Sequence, residues 1–265
     1  CFKVWIFVSL QGKYRNQNMK LFFRELGNPD ADTIMINHGW LGRSEHWLNI
    51  GKFLADCGYH VIIPDLPNHG HSFHTDIFTY DSMARFLHDF LANHSNGKPI
   101  LIGHSMGGKI AMKMLDFYPT DYEKLIVVDI LPMAYPELCK KGSIADVILQ
   151  TDLTLFQSRH ELFEHFKRFV SDKGWLALLM QNIEVKKKSL HWRSNAVLLA
   201  ESMNEVAGSV NLNKNSVETL LICGSESEFT KKEDRFLFSS VYECSRIIEI
   251  EGASHWVFVD KPAVF

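Results

Sequence analysis

Residues 99–108 read Pro99-Ile100-Leu101-Ile102-Gly103-His104-Ser105-Met106-Gly107-Gly108, an apolar run that stops at the pattern Gly-x-Ser-x-Gly. A serine hydroxyl is a weak nucleophile unless a base takes its proton and hydrogen-bond donors hold the oxyanion that forms. It must therefore stand exposed on a tight turn from strand to helix. Glycines at 103 and 107 permit that turn, and Ile110, Ala111, Met114 and Leu115 continue it in a helix-compatible register. The pattern alone could be a glycine-rich turn with a bystander serine. Strand, elbow and helix in this order make Ser105 the candidate nucleophile.

Working outward, residues 33–37, 61–63, 125–128, 220–223 and 247–250 are near-continuous apolar runs like 99–102, as strands buried on both faces should be. A first strand is expected at 19–23, and helices at 45–57, 80–93 and 109–117. This alternation predicts an α/β fold with a mostly parallel sheet flanked by helices, its chemistry at the carboxyl ends of the strands. After the strand at 33–37 comes His38-Gly39-Trp40-Leu41-Gly42, where glycine lets the backbone pass close to the nucleophile. The amides of Trp40 and Met106 are then candidates for an oxyanion hole. After 61–63 comes Asp65-Leu66-Pro67-Asn68-His69-Gly70-His71-Ser72. His69, His71 and His74 have a metal-like spacing, but Phe73 stands where binuclear metallohydrolases place an acid before the third histidine. They are read as loop histidines, with no metal expected.

The whole chain agrees with a globular enzyme: 265 residues, 46% hydrophobic, 22% charged, net charge −3. That balance offers no footprint for nucleic acid or for an anionic membrane. Five widely spaced cysteines without a Cys-x-x-Cys pair point to free thiols and a cytoplasmic setting. Residues 1–18 read as a segment upstream of the domain. Their apolar stretch, 4–10, is shorter than the roughly 20 residues of a spanning helix, and no cleavage region follows it.

Residues 133–213 interrupt the strand rhythm for too long to be a structureless loop, so they are expected to form a unit of their own, a helical cap. Leu162, Phe163, Phe166, Phe169 and Val170 fall on one helical face, as do Trp175, Leu178, Leu179, Asn182 and Ile183. Residues 186–188 read as a solvated turn. A cap above the elbow implies an apolar slot of acyl size.

The general base must come near the chain's end, where His255 sits in the small-residue loop Gly252-Ala253-Ser254-His255. His104, beside the nucleophile, is expected to orient the turn. The acid is less ordinary. The turn after the run at 220–223 reads Gly224-Ser225-Glu226-Ser227, with serine and no aspartate at its fourth position. Asp129 follows the strand at 125–128 directly and is the first candidate, with Glu226 and Glu228 as alternatives.

His38-Gly39, residues 65–72, 103–108, Val128-Asp129-Ile130-Leu131-Pro132 and Gly252-Ala253-Ser254-His255-Trp256 resemble α/β-hydrolases. Asn68-His69-Gly70, Gly107-Gly108-Lys109 and Trp192-Arg193-Ser194-Asn195 are similar to the YbfF-like esterase branch. Pro67 departs from the arginine common in that loop. The resemblance spans residues 19–265 and implies a core at 19–132 and 214–265 that ends where a last helix is usual, with the cap at 133–213. It implies a serine carboxylesterase-type hydrolase cleaving carboxylic esters or thioesters of small to medium acyl groups through an acyl-enzyme. The triad would be Ser105, His255 and Asp129, with Ser227 as a further hydrogen-bond partner for His255 and His38 in support. Trp40, His104, Trp192 and Trp256 are the expected pocket residues. No cofactor is required, the partner is a small-molecule ester or thioester, and the protein would be a monomer or small homo-oligomer. Lyase and acyltransferase chemistry, or ligand binding without turnover, are the alternatives on this fold.

Overall fold

Aliphatic runs of five to seven residues set the frame. The computed structural model describes residues 2–7 as backbone and 20–265 in full. In chain order the core opens with β1 (Phe2–Phe7), β2 (Lys20–Leu26), β3 (Thr33–Asn37), α1 (Leu48–Asp56), β4 (His60–Pro64), α2 (Tyr80–Ala92), β5 (Ile100–His104), α3 (Met106–Phe117) and β6 (Lys124–Val128). An insertion follows with α4 (Ile144–Gln150), α5 (Arg159–Phe166), α6 (Lys173–Gln181), β7 (Ile183–Lys186), β8 (Ser189–Trp192), α7 (Ala196–Glu201) and α8 (Met203–Ala207). The core resumes with β9 (Glu218–Gly224), α9 (Phe236–Val241), β10 (Ser245–Ile250) and α10 (Val257–Asp260).

The sheet has eight strands in the order β1-β2-β4-β3-β5-β6-β9-β10. β1 and β2 are antiparallel to their neighbours, and every pairing from β4 to β10 is parallel. β3 and β4 are buried at all their positions, as continuous apolar strands between two helical layers should be. β10 departs from the expectation of burial on both faces. It is the sheet edge, and Ile247 and Ile248 are 37% and 49% exposed. Residues 4–7 of the apolar run set aside as upstream lie in β1, which pairs along its full length with residues 20–25 of β2. Residue 19, where a first strand was expected to open, lies outside the described residues, and β2 runs past Phe23 to Leu26.

The insertion is helical with one exception. Ile183, expected on a helix face, starts a two-stranded hairpin, β7 with β8, in which Lys186 pairs with Ser189. The intervening Lys187 and Lys188 have φ of 49° and 68°, the left-handed pair that a tight two-residue hairpin turn requires. Leu162, Phe166 and Val170 are buried as expected, but Phe169 is 58% exposed because α5 ends at Phe166. One apolar cluster runs unbroken from Met35, Leu101 and Val127 in the sheet to Leu162, Leu179 and Leu199 in the insertion. Insertion and sheet thus share a core.

Candidate active site

Parallel strands in register bring their carboxyl ends to one edge, and the candidate residues follow those ends. Ser105, directly after β5, bonds through its amide to Val128 O at 3.0 Å. Asp129, directly after β6, bonds likewise to Ile222 O at 2.8 Å. Each ladder therefore extends one residue beyond its strand and fixes the next side chain. Ser105 has φ 53° and ψ −124°, a conformation a non-glycine residue adopts only when its surroundings impose it. Here the imposition is close packing. A side chain at Gly107 would meet the carbonyl oxygens of Asn37 and His38 at 2.4 Å, and one at Gly39 would meet the His104 ring at 2.9 Å.

Ser105 caps α3, so the Met106 N–H is one of the donors that a helix start leaves without an internal acceptor. The Trp40 amide likewise donates to no other group among the described residues. His38 holds the loop between them: one ring nitrogen meets Gly39 O at 2.8 Å and the other accepts from Leu66 N at 2.9 Å. Burial draws the His38 imidazole down to about 3, so it is neutral, as accepting a hydrogen bond requires.

Asp129 is fully buried and also left-handed, with φ 51°. Its Oδ1 accepts from Gly224 N at 3.0 Å and from the Thr230 hydroxyl at 2.6 Å. Its Oδ2 lies 2.8 Å from His255 Nδ1 and accepts a short hydrogen bond from Ser227 Oγ, so Ser227, expected to bond the histidine, bonds the acid instead. Burial works to raise this carboxyl's pKa, but the bonds from His255, Ser227 and Thr230 prevail and hold it below the usual carboxylate range. The His255 ring stacks on Phe229 at 4.0 Å, and its loop is tied down by Ser254, whose N and Oγ reach Asp260 Oδ2 at 2.9 and 2.6 Å. Glu226 and Glu228 are both exposed, Glu228 paired with Lys231, so Asp129 is the carboxylate brought to His255.

A cavity of about 230 Å³ opens at Ser105, bounded by Trp40 and Met106 from the core and by Ile144, Trp175 and Met203 from the insertion. Of the expected pocket residues only Trp40 is there. His104 is 2% exposed beneath the elbow, where burial draws its ring down to about 3 and one ring nitrogen lies 2.9 Å from His255 O. Trp192 stacks on Phe166 inside the insertion, and Trp256 packs on Trp175 and faces an outer groove against α6. Missed from sequence were Lys109, Tyr80, Tyr135 and Phe229, which also line the cavity. Lys109 was legible in principle, since it lies four residues after Ser105 on one helical face. The three loop histidines do not converge: His69 is buried with a ring nitrogen 2.9 Å from Pro67 O, and His71 meets the Phe22 ring and Arg193. Among the described residues no three His, Cys, Asp or Glu side chains are disposed as metal ligands. The Asn68 loop and the Asn195 segment do meet, through Asn195 N to Asn68 O at 2.9 Å.

The four described cysteines are free thiols, and no described helix is long and apolar enough to cross a membrane. The sequence matches the family described as alpha/beta hydrolase fold over residues 32–262. It is 30% identical to an sn-1-specific diacylglycerol lipase ABHD11 of Danio rerio, over 90% of this chain and 77% of that protein. It is 26% identical to Esterase YbfF of Escherichia coli, over 86% and 88% respectively. Among solved structures, a marine microorganism esterase superposes with a TM-score of 0.86 at 29% identity, covering 93% of this chain and 97% of that one.

Proposed function

Because the chain belongs to the alpha/beta hydrolase fold family, we propose that it is a serine hydrolase that cleaves carboxylic esters or thioesters through an acyl-enzyme. The observation that carries this reading is the strained Ser105 elbow together with, at the same edge of the sheet, an imidazole held by a buried carboxylate. The esterase and lipase names of its relatives support the same class of reaction.

In this mechanism Asp129, kept ionised by its donors, fixes the proton on His255 Nδ1 and leaves Nε2 as the base. His255 takes the Ser105 proton as Oγ attacks the acyl carbon. The Trp40 and Met106 amides stabilise the oxyanion, and the imidazolium then gives its proton to the departing alcohol or thiol. A water deprotonated by the same nitrogen releases the acid and restores Ser105. The insertion acts as a cap over the acyl chain, and the modest cavity suits small to medium acyl groups.

The test is covalent labelling by a fluorophosphonate together with turnover of p-nitrophenyl esters. Ser105→Ala is expected to fold, to escape labelling and to lose turnover by about 10⁴-fold or more, since triad members act as a unit. An alanine variant that keeps full activity would remove Ser105 from the chemistry.

A further inference from the structure

Lys109 lies one helical turn below Ser105, its amide bonded to Ser105 O at 3.2 Å, and its side chain forms part of the wall of the same cavity. The residue is 1% exposed. Its Nζ donates to Gly208 O at 2.6 Å and lies 4.8 and 5.8 Å from the ring centres of Tyr135 and Tyr80. Among the described residues no carboxylate oxygen lies within 4.0 Å of it. Lys113, one turn further along α3, has both Asp81 and Asp116 within that distance. Buried ammonium groups are as a rule paired, because removing a charge from water without a counter-ion is costly.

The surrounding groups place no anion in contact with Nζ, Glu205 acting on it only from a distance. The Tyr135 hydroxyl accepts from Leu131 N and donates to Phe229 O, and the Tyr80 hydroxyl donates to Val206 O, so burial keeps both phenols protonated. Glu205 is exposed, as is Glu137 at the cavity's rim. Taking Ser105 as the nucleophile, we propose that the cavity receives an acyl group that itself carries a carboxylate, with Lys109 as its counter-ion. The substrates would be half esters or half thioesters of short dicarboxylic acids.

Burial draws the Lys109 ammonium down to about 7, against the pull of Glu205. Preference for an anionic acyl group should therefore be greatest below that pH and fall above it. The readout is the ratio of kcat/KM for monoethyl glutarate to that for ethyl valerate, from about pH 6 to about pH 9, since kcat/KM follows the free enzyme's titrations. His255 and Asp129 serve both esters alike and cancel in the ratio.

The ratio is expected to exceed about tenfold at the acid end, to fall as pH rises through neutrality, and to drop at least tenfold and lose its pH dependence in Lys109→Met. The wild-type profile needs no variant to fold. A neutral ester preferred at every pH, or a ratio unmoved in Lys109→Met, overturns the proposal. Fluorophosphonate labelling in the same samples separates the two readings. Labelled, active enzyme with a flat ratio sinks only the role of Lys109, whereas unlabelled, inactive wild type sinks the serine-hydrolase reading and this one with it.

Discussion

Asp129 occupies a left-handed backbone conformation that an aspartate holds only at some cost, and four donors converge on its carboxylate. A strand-end aspartate with a merely structural role would have no need of an imidazole among those donors. Asp129→Asn is expected to keep the geometry but offer His255 the wrong tautomer, reducing kcat by about 10²- to 10⁴-fold. Glu226→Gln and Glu228→Gln, both at exposed positions, should change it by less than about twofold. If a glutamine variant is the dead one while Asp129→Asn works, the acid lies after β9 instead. Ser105 and His255 were legible because a nucleophile elbow and a loop histidine leave local marks in sequence. The choice of Asp129 over the glutamates was open there, because it depends on which way three side chains point at the ends of two adjacent strands. Thr230 left no such mark, as its bond to Asp129 spans 101 residues of chain.

At the scale of elements, the central strands could be read because a strand buried on both faces must be apolar throughout, while β10 looked the same and proved to be an edge. The hairpin within the insertion was missed although Ile183-Glu184-Val185-Lys186 and Ser189-Leu190-His191-Trp192 alternate with a period of two. Leu178, Leu179 and Asn182 just before it, at helical spacing, masked the change of period. The cavity between insertion and core gives a direct test of the cap: Met203→Trp should shorten it, lowering the kcat/KM ratio of hexanoate to acetate esters by at least about tenfold. An unchanged ratio would place the acyl chain elsewhere. Helix α3 carries a second expectation. Lys109 has a folded pKa of about 7 against the ordinary 10.5, so the folded state is penalised in full below about 7, and the penalty fades as pH rises toward 10.5. Lys109→Met should therefore raise stability in urea melts by about 1–3 kcal/mol near pH 6, with the gain shrinking at alkaline pH. A variant destabilised equally at all pH values would show that the Gly208 hydrogen bond outweighs the buried charge.

For the molecule as a whole, the decisive titrations are those of histidines sealed beneath the active-site edge. Burial, the largest cause in each case, draws His38, His69 and His104 down to about 3 from the ordinary 6.5, and all three are at most 2% exposed. In the unfolded chain each takes up a proton near 6.5 while the folded protein does not. The stability they contribute is whole above 6.5 and is lost as pH falls toward 3. Each proton carries about 1.4 kcal/mol per pH unit, so three together give a slope of about 4 kcal/mol per unit. Against a domain stability of about 5–15 kcal/mol, this places acid unfolding between about pH 5 and about pH 3. Lys109, protonated in both states below about 7, adds no slope there, and the Asp129 contribution is lost only as pH falls from the ordinary 3.8 toward its lower folded value. Urea melts at successive pH values between about 7.5 and about 5 should show a proton uptake on unfolding to which these three rings contribute nearly three. His69→Gln should reduce that uptake by about one, since the His69 ring has one nitrogen near Pro67 O and the other, Nε2, buried without a partner. Stability that stays level from about pH 6.5 to about pH 5 would mean that these rings are not held neutral in the folded protein, and with that the neutral, hydrogen-bond-accepting His38 that holds the Gly39 loop would also fall.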